Sequence, residues 1–324
     1  MKKSIIITGG AGFIGSYLSE RYHQEGYLVI IIDNLFRGKI ANIQNIIDDG
    51  ALFFNIDLID SNQKKSIEDI IFKYKPEIIL HYAAINGTQY FYDIPESVSE
   101  VNSIGTYNIL KCIQNIKLLD PNFETVFVFA STSETYGEPI DIPSTESSLT
   151  YVRIDENRDS YAAAKLMSEF YVKHFCESMA IKWLTFRIFN VYGPRMIGTK
   201  YGQVIPEFIT RLKNGEYPLK IYGNGSHTRS FIYVTDHVDL VFKSINLAKP
   251  NNTYNLGNPE EISIYDLARL IMNKMNLVPN FDFLEERGGD HRRRKPSIDK
   301  LFKSIGEQEL INIESGIELM LKQY

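Results

Sequence analysis

An apolar run, Ile5-Ile6-Ile7, breaks after Thr8 into Gly9-Gly10-Ala11-Gly12-Phe13-Ile14-Gly15, and an amphipathic pattern follows at once. The glycines at positions 9, 12 and 15 constrain the chain more than any other feature. A tight turn calls on glycine's backbone freedom, a backbone N–H can approach a phosphate only where no Cβ intervenes, and a third glycine lets a helix pack closely on a strand. The helix N-terminus then turns its positive dipole end toward the same place. Turns and caps also collect glycine, so the strand before and the helix after carry the weight. The predicted unit is strand, phosphate-binding turn and helix, with Phe13 and Ile14 inside the turn.

The next apolar run, Tyr27–Ile32, closes on Asp33 and Asn34, eighteen residues beyond Gly15. A carboxylate at the end of the second strand can accept the hydrogens of a ribose diol and repels a 2′-phosphate. The cofactor expected is therefore NAD, with nearby Arg37 as the route by which NADP stays open. Asp57 and Leu58 follow the third strand, where a carboxylate can meet an adenine amine or simply cap the helix beginning near Ser61. Ala83 and Ala84, after the fourth strand, are small enough to lie against a cofactor.

The chain has 324 residues, 44% of them hydrophobic and 23% charged, enough for one large or two intimately joined domains. A net charge of −5 gives no general attraction to nucleic acid or anionic membrane. Only Cys112 and Cys176 occur, which suits a reducing compartment and no disulfide framework. The first strand starts by Ser4, leaving no room for a signal peptide, and the apolar runs are strand-sized, so the cytoplasm is expected. No metal-ligand pattern is read. One dense basic run extends from Arg287 to Lys295.

Strand patterns at 4–8, 27–32, 51–55, 77–81, 125–130 and 181–188 alternate with helical ones at 13–25, 61–74, 97–115 and 160–179. This alternation predicts an α/β fold, a Rossmann-type doubly wound parallel sheet. After about residue 190 the alternation loosens. Residues 201–220 read as a helix ended by Asn214-Gly215, 230–234 as strand-like, and 263–275 as an amphipathic helix. The expected division is an NAD-binding domain over 1–189, to which some later segments return, and a smaller C-terminal α/β lobe over 190–324 that binds substrate.

Tyr161 and Lys165 lie one helical turn apart on one face, the arrangement of a phenolate base beside a cation. Chance produces this pair often, so its partner matters. A buried-strand pattern, Phe127–Ala130, runs into Ser131-Thr132-Ser133-Glu134, where hydroxyls at a strand's carboxyl end can bond a substrate alcohol. The bland alternatives are a Ser/Thr helix cap and a first-turn carboxylate.

With these pieces the sequence resembles the extended short-chain dehydrogenase/reductase family of nucleotide-sugar epimerases, dehydratases and decarboxylases. The matching segments are Thr8–Gly15, Asp33-Asn34-Leu35, His81–Ala84, Asn102 with Gly105-Thr106, Ser131–Gly137, Tyr161 with Lys165, Arg187–Arg195, Thr228–Val234 and Tyr254–Gly257. The resemblance implies that Tyr161 takes a proton from a sugar hydroxyl, usually at C4, as hydride passes to NAD⁺. Lys165 would lower the phenol's pKa and bind the nicotinamide ribose, and Thr132, or Ser131 nearby, would share the hydroxyl. Asn190 and Arg229 match positions that hold the substrate diphosphate, and Gln203 and Val204 lie near its base or sugar. In the run Arg292-Arg293-Arg294, one arginine would grip the same phosphates; Arg292 and Arg293 are taken as the candidates.

The family diverges after oxidation at C4. Ser133 stands where dehydratases of deoxythymidine-linked glucose carry an aspartic acid, whereas Glu134 can still remove a C5 proton or serve a decarboxylase. The outcome expected first is a 4-epimerase or 4-dehydrogenase acting on a nucleoside-diphosphate sugar. A 4,6-dehydratase using Glu134 and a UDP-uronate decarboxylase are the alternatives. An NAD-sensing binding protein is the non-enzymatic reading, and an RNA-binding relative is disfavoured by the acidic balance. The segment Ile85–Tyr92 should line the sugar pocket. A homodimer is implied, through Val101, Ile104, Ile109, Leu110, Met167, Phe170 and Val172 on the helices at 97–115 and 160–179.

Overall fold

A computed structural model describes residues 2–199, 202–285 and 292–323. Seven parallel strands form the central sheet: β1 (Ser4–Thr8), β2 (Leu28–Asp33), β3 (Leu52–Asn55), β4 (Ile78–His81), β5 (Val126–Thr132), β6 (Lys182–Ile188) and an edge strand over Asn252–Leu256. The edge strand lies beyond residue 190 and pairs with β6. Two strands, β2 and β3, run outward on one side of β1, and β4 begins the other side, in the order β3-β2-β1-β4-β5-β6 with the edge strand last. The switch of direction therefore falls between β1 and β4, where such sheets open a crevice at their carboxyl ends.

Period-two alternation explains why the strands need apolar residues throughout. Ile5, Ile7, Val29, Ile31 and Leu80 enter the core on one face, whereas Ile6, Ile30, Ile32 and Ile79 enter the core on the other. Helices cover both faces: α1 (Phe13–Gln24), the short α2 (Gln44–Asp48), α3 (Lys64–Tyr74), the single turn α4 (Tyr90–Asp93), α5 (Pro95–Leu119) and α6 (Asp159–Ser178). Ile67 and Ile71 of α3, Ile109 and Ile113 of α5, and Val172 and Cys176 of α6 pack on the second core. On the first face the core continues without a break into Ile205, Phe208, Leu219, Leu267 and Ile317. The C-terminal segments thus share a core with the sheet.

Those segments correct part of the sequence reading. The helix expected over 201–220 is α7 (Val204–Lys213), and Leu219–Tyr222 is a strand in which Leu219 and Ile221 are buried while Lys220 and Tyr222 are exposed. That alternation has period two, and the turn at Asn214-Gly215 separates it from the helix. The strand expected at 230–234 is two pieces, Thr228–Ser230 and Ile232–Tyr233, and Val234 opens the next helix. Ser263 caps the helix Ile264–Lys274 by accepting the Asp266 N–H. The expectations at Tyr201 and at Arg287–His291 lie outside the described residues. Among the described residues no helix is long and apolar enough to cross a membrane.

Two histidines are buried in this framework. His81 lies 2.7 Å from the Thr8 hydroxyl through Nδ1 and 3.0 Å from the Thr106 hydroxyl through Nε2. Burial, aided by the positive charge of Lys165, pushes its pKa down to about 3, and burial does the same to His237. Both are neutral in the folded protein and take up protons on unfolding below about pH 6.5. Stability is therefore full above that pH and falls as pH drops toward 3, by up to about 1.4 kcal/mol per pH unit for each histidine. Denaturant unfolding at pH 7, 6 and 5 checks this; an unfolding free energy that stays level over that range contradicts it.

Candidate active site

The crevice at the switch point opens into a cavity of about 920 Å³, running from the glycine turn and Asp33 to Tyr222 and His227 beyond the sheet. Gly9 adopts a φ of +71°, and a Cβ there would lie 2.7 Å from the Ala83 nitrogen. A Cβ at Gly15 would overlap the Gly9 carbonyl oxygen, so α1 meets the turn backbone against backbone. Gly12, Phe13 and Ile14 line the cavity beside them. Asp33 accepts the Ala11 N–H at 3.0 Å and the Leu35 N–H at 2.8 Å. Burial pushes its carboxyl pKa up, and these donors oppose that shift. Asn34 donates to Asp57 at 3.0 Å, and Asp57 also accepts the Ile59 N–H at 3.0 Å. Asp57 is thus a turn cap that also lines the cavity, as do Leu58, Ala83 and Ala84.

The reacting end is built where β5 ends against α6. Thr132 caps the turn after β5, its hydroxyl accepting the Glu134 N–H at 3.2 Å, and it hydrogen-bonds the Tyr161 phenol. The Tyr161 ring stacks on Phe91 at 5.2 Å and 11°. Lys165 holds its ammonium 4.9 Å over the Phe129 ring, buried and without a hydrogen-bond partner. The glycine cradle, Asp33 and this orphaned ammonium fit NAD: they offer it bare backbone, a ribose acceptor and a ribose donor. Burial lowers the Lys165 pKa to about 7. The Tyr161 phenol differs from the sequence expectation. Burial and the Glu134 charge hold its pKa above the ordinary value, and the groups that pull it down are Thr132 and Arg37.

Glu134 is the carboxylate beside the phenol, and arginines surround it. Arg294, 2% exposed, clamps both its oxygens, with Nη2 at 2.8 Å from Oε2. Arg158 stands 3.8 Å from Oε2. Ser133 is buried in the same wall. Ser131, considered with Thr132 as a partner for substrate, instead donates to Glu169 at 2.5 Å. Glu169 is bound in turn by Arg187, through Nε at 3.0 Å and Nη2 at 2.8 Å. Sequence reasoning missed Glu169; its place two turns from Tyr161 on α6, facing Arg187 of β6, was the available signal.

The basic run needs a correction. Arg292 is exposed, with its backbone N–H on Glu138, and Arg293 pairs with Glu261 at 2.6 Å. Neither lines the cavity; Arg294 does. Asn190, Gln203, Val204 and Arg229 line the cavity's far half, as Ile85, Phe91 and Tyr92 line its wall near Tyr161. Asn190 donates to the Ser230 carbonyl at 2.9 Å, and Arg229 to the Thr228 carbonyl at 2.8 Å. The Gln203 carbonyl oxygen is buried with no partner, an acceptor waiting for a ligand donor.

The fold and site define a class: an NAD-dependent enzyme of nucleotide sugars, in the extended short-chain dehydrogenase/reductase group. The chain belongs to the family described as GDP-mannose 4,6 dehydratase, which it matches over residues 6–318. It is 32% identical to UDP-glucuronic acid decarboxylase 1 of Xenopus tropicalis over 319 residues, covering 98% of this chain and 70% of that one. It is 31% identical to UDP-N-acetyl-alpha-D-glucosaminuronate decarboxylase of Bacillus cytotoxicus, covering 98% and 96% of the two chains. Among solved structures, UDP-glucose 4-epimerase of Thermus thermophilus in complex with NAD superposes with a TM-score of 0.85 at 26% identity, over 99% of this chain and 98% of that one.

Two substitutions test the geometry. Gly15→Ala should abolish NAD binding, measured by calorimetry, because the methyl group displaces α1 from the turn. Glu134→Ala strands the buried Arg294 guanidinium and should cost about 2–4 kcal/mol of stability by denaturant unfolding, with Glu134→Gln costing less.

Proposed function

We propose that this protein decarboxylates a nucleoside-diphosphate uronate by way of a C4 ketone. The observation that carries this reading is the Arg294–Glu134–Arg158 cluster beside Tyr161. Arg294 and Arg158 bring two guanidinium groups to this end, with Glu134 and Asp159 as the carboxylates among them, and guanidinium groups suit a sugar bearing its own carboxylate. With both oxygens clamped by Arg294, Glu134 is poorly placed to pull a proton from C5, as a 4,6-dehydratase requires. The curated relatives above, both described as decarboxylases of uronic-acid nucleotides, support this reading.

Thr132 and Tyr161 would hold the C4 hydroxyl, and Tyr161 would take its proton to Oη as the phenolate, a form that the positive charge of bound NAD⁺ would favour against the burial that raises the phenol's pKa. NAD supplies the hydride acceptor and donor for the sugar carbon. Once C4 is a ketone, the C5 carboxylate is a β-keto acid. Loss of CO₂ leaves the bond electrons in the C4 enolate, so no base has to remove a C5 proton; the enolate would take a proton at C5 from water, and the C4 ketone would then regain its hydride and the proton held at Tyr161. Arg158 and Arg294 would orient the departing carboxylate. Residues 1–189 would hold NAD and 190–324 most of the nucleotide sugar, with Asn190, Gln203, Val204 and Arg229 along it.

The same helices that carry Tyr161 would form a homodimer interface. Ile104, Met167 and Phe170 are 41%, 49% and 54% exposed on α5 and α6. Ile109, Leu110 and Val172, expected at that interface, are instead buried in the protein's own core. Met167→Glu should shift a dimer toward monomer in sedimentation.

Incubation with UDP-glucuronate, UDP-N-acetylglucosaminuronate and UDP-glucose tests the reaction. The expected result is CO₂ and a UDP-pentose-type product from a uronate and no turnover of UDP-glucose. A 4-epimer or a 4-keto-6-deoxy sugar as the product overturns it, and NADH accumulating with the substrate points to a 4-dehydrogenase. Tyr161→Phe should lower kcat at least about a hundredfold while NAD still binds; unchanged turnover would take the catalytic role from Tyr161, and no turnover of any of these sugars by the parent would return the protein to the NAD-sensing reading.

A further inference from the structure

β1 lies between β2 and β4 in the sheet. Any contact between the chain after β2 and the chain after β4 must therefore pass over the end of β1, and so over the Gly9–Gly12 turn. Such a contact exists. The Phe36 ring lies 5.6 Å from the Tyr90 ring, and the Arg37 guanidinium carbon lies 5.5 Å from the centre of the same ring. Phe36 and Arg37 line the cavity, and Phe91, next to Tyr90, is the residue stacked on Tyr161.

The loop is folded to bring this about. Leu35 adopts a left-handed φ of 62°, and Gly38 lies so near Asp33 that a Cβ would be 2.9 Å from both carboxylate oxygens. The chain thus doubles back on Asp33 and directs Arg37 across the crevice. The Tyr90 and Tyr161 phenols both bear on Arg37.

We propose that Arg37, braced on Tyr90, is a clasp over the cofactor's diphosphate that keeps NAD in the protein from one turnover to the next. The α1 N-terminus, where Phe13 and Ile14 line the cavity, would meet the diphosphate from below, and a guanidinium from above completes a two-sided grip. The cation–π contact holds the guanidinium in place over the crevice before any phosphate arrives. The clasp rests on NAD as cofactor and on the hydride going back to the sugar, a condition shared by decarboxylation and epimerisation alike. It does not depend on which sugar reacts.

The experiment is release of radiolabelled NAD from the loaded protein into excess unlabelled NAD, followed by rapid filtration, with the NAD content of the purified protein as a second readout. Arg37→Ala should release NAD about ten- to a hundredfold faster than the parent. Arg37→Lys and Tyr90→Leu should fall between the two. Lys39→Ala, which removes an exposed charge from the same loop outside the cavity, should match the parent. An Arg37→Ala protein that releases NAD at the parent rate overturns the clasp, as does one whose only defect is weaker UDP binding, which would give Arg37 to the substrate's diphosphate. Should Arg37→Ala not fold, the lysine and Tyr90 variants decide, and parent-like release from both overturns it. Product identity is read separately, so failure of the clasp and failure of the decarboxylase reading cannot be confused.

Discussion

The absence of a side chain at Gly15 lets α1 start directly on the carbonyl of Gly9. Everything that binds in this protein depends on that backbone contact. It places the helix N-terminus at the point where the sheet changes direction, between β1 and β4, with Phe13 and Ile14 of its first turn lining the crevice. Asp33 closes one end by accepting N–H groups from the turn and from its own loop. Because β4 and β5 follow on the other side of β1, the same crevice leads straight to Thr132, Tyr161 and Lys165.

Electrostatics divides the cavity along its length. The end near the glycine turn offers backbone donors and a carboxylate that rejects extra phosphate. The reacting end is poor in water-exposed surface, so Tyr161 and Lys165 both sit in their uncharged directions, the phenol raised and the ammonium lowered. Arg294, Arg158 and Glu134 form a fixed charge cluster beside them, and Arg187 with Glu169 pins Ser131 from behind. Burial makes each of these ion pairs costly to break from one side. The cluster is therefore a rigid wall.

The parallel sheet was legible because its strands are buried on both faces and read as unbroken apolar runs. Ile5–Ile7 and Val29–Ile32 have no other plausible place in a chain of this composition. The strands and helices expected over the first 188 residues match the observed ones to within a few residues. Beyond residue 190 short strands such as Ile232–Tyr233 carry too few residues for a period to show, and Leu219–Tyr222 was hidden by the helix before it. The edge strand at Asn252–Leu256 could be quoted as a motif, yet its place beside β6 rests on a contact across almost seventy residues of chain.

The sequence by itself determined the phosphate turn, the acid that follows the second strand, and the pairing of Tyr161 with Lys165, because each is set by local spacing within one element or one turn. Tertiary structure alone decided which arginine of the run 292–294 faces inward, that Glu134 is clamped rather than open, and that Arg37 reaches over the crevice toward Tyr90. Those are contacts between segments up to 160 residues apart. No local spacing encodes them; they follow from which faces the folded sheet and its loops bring together.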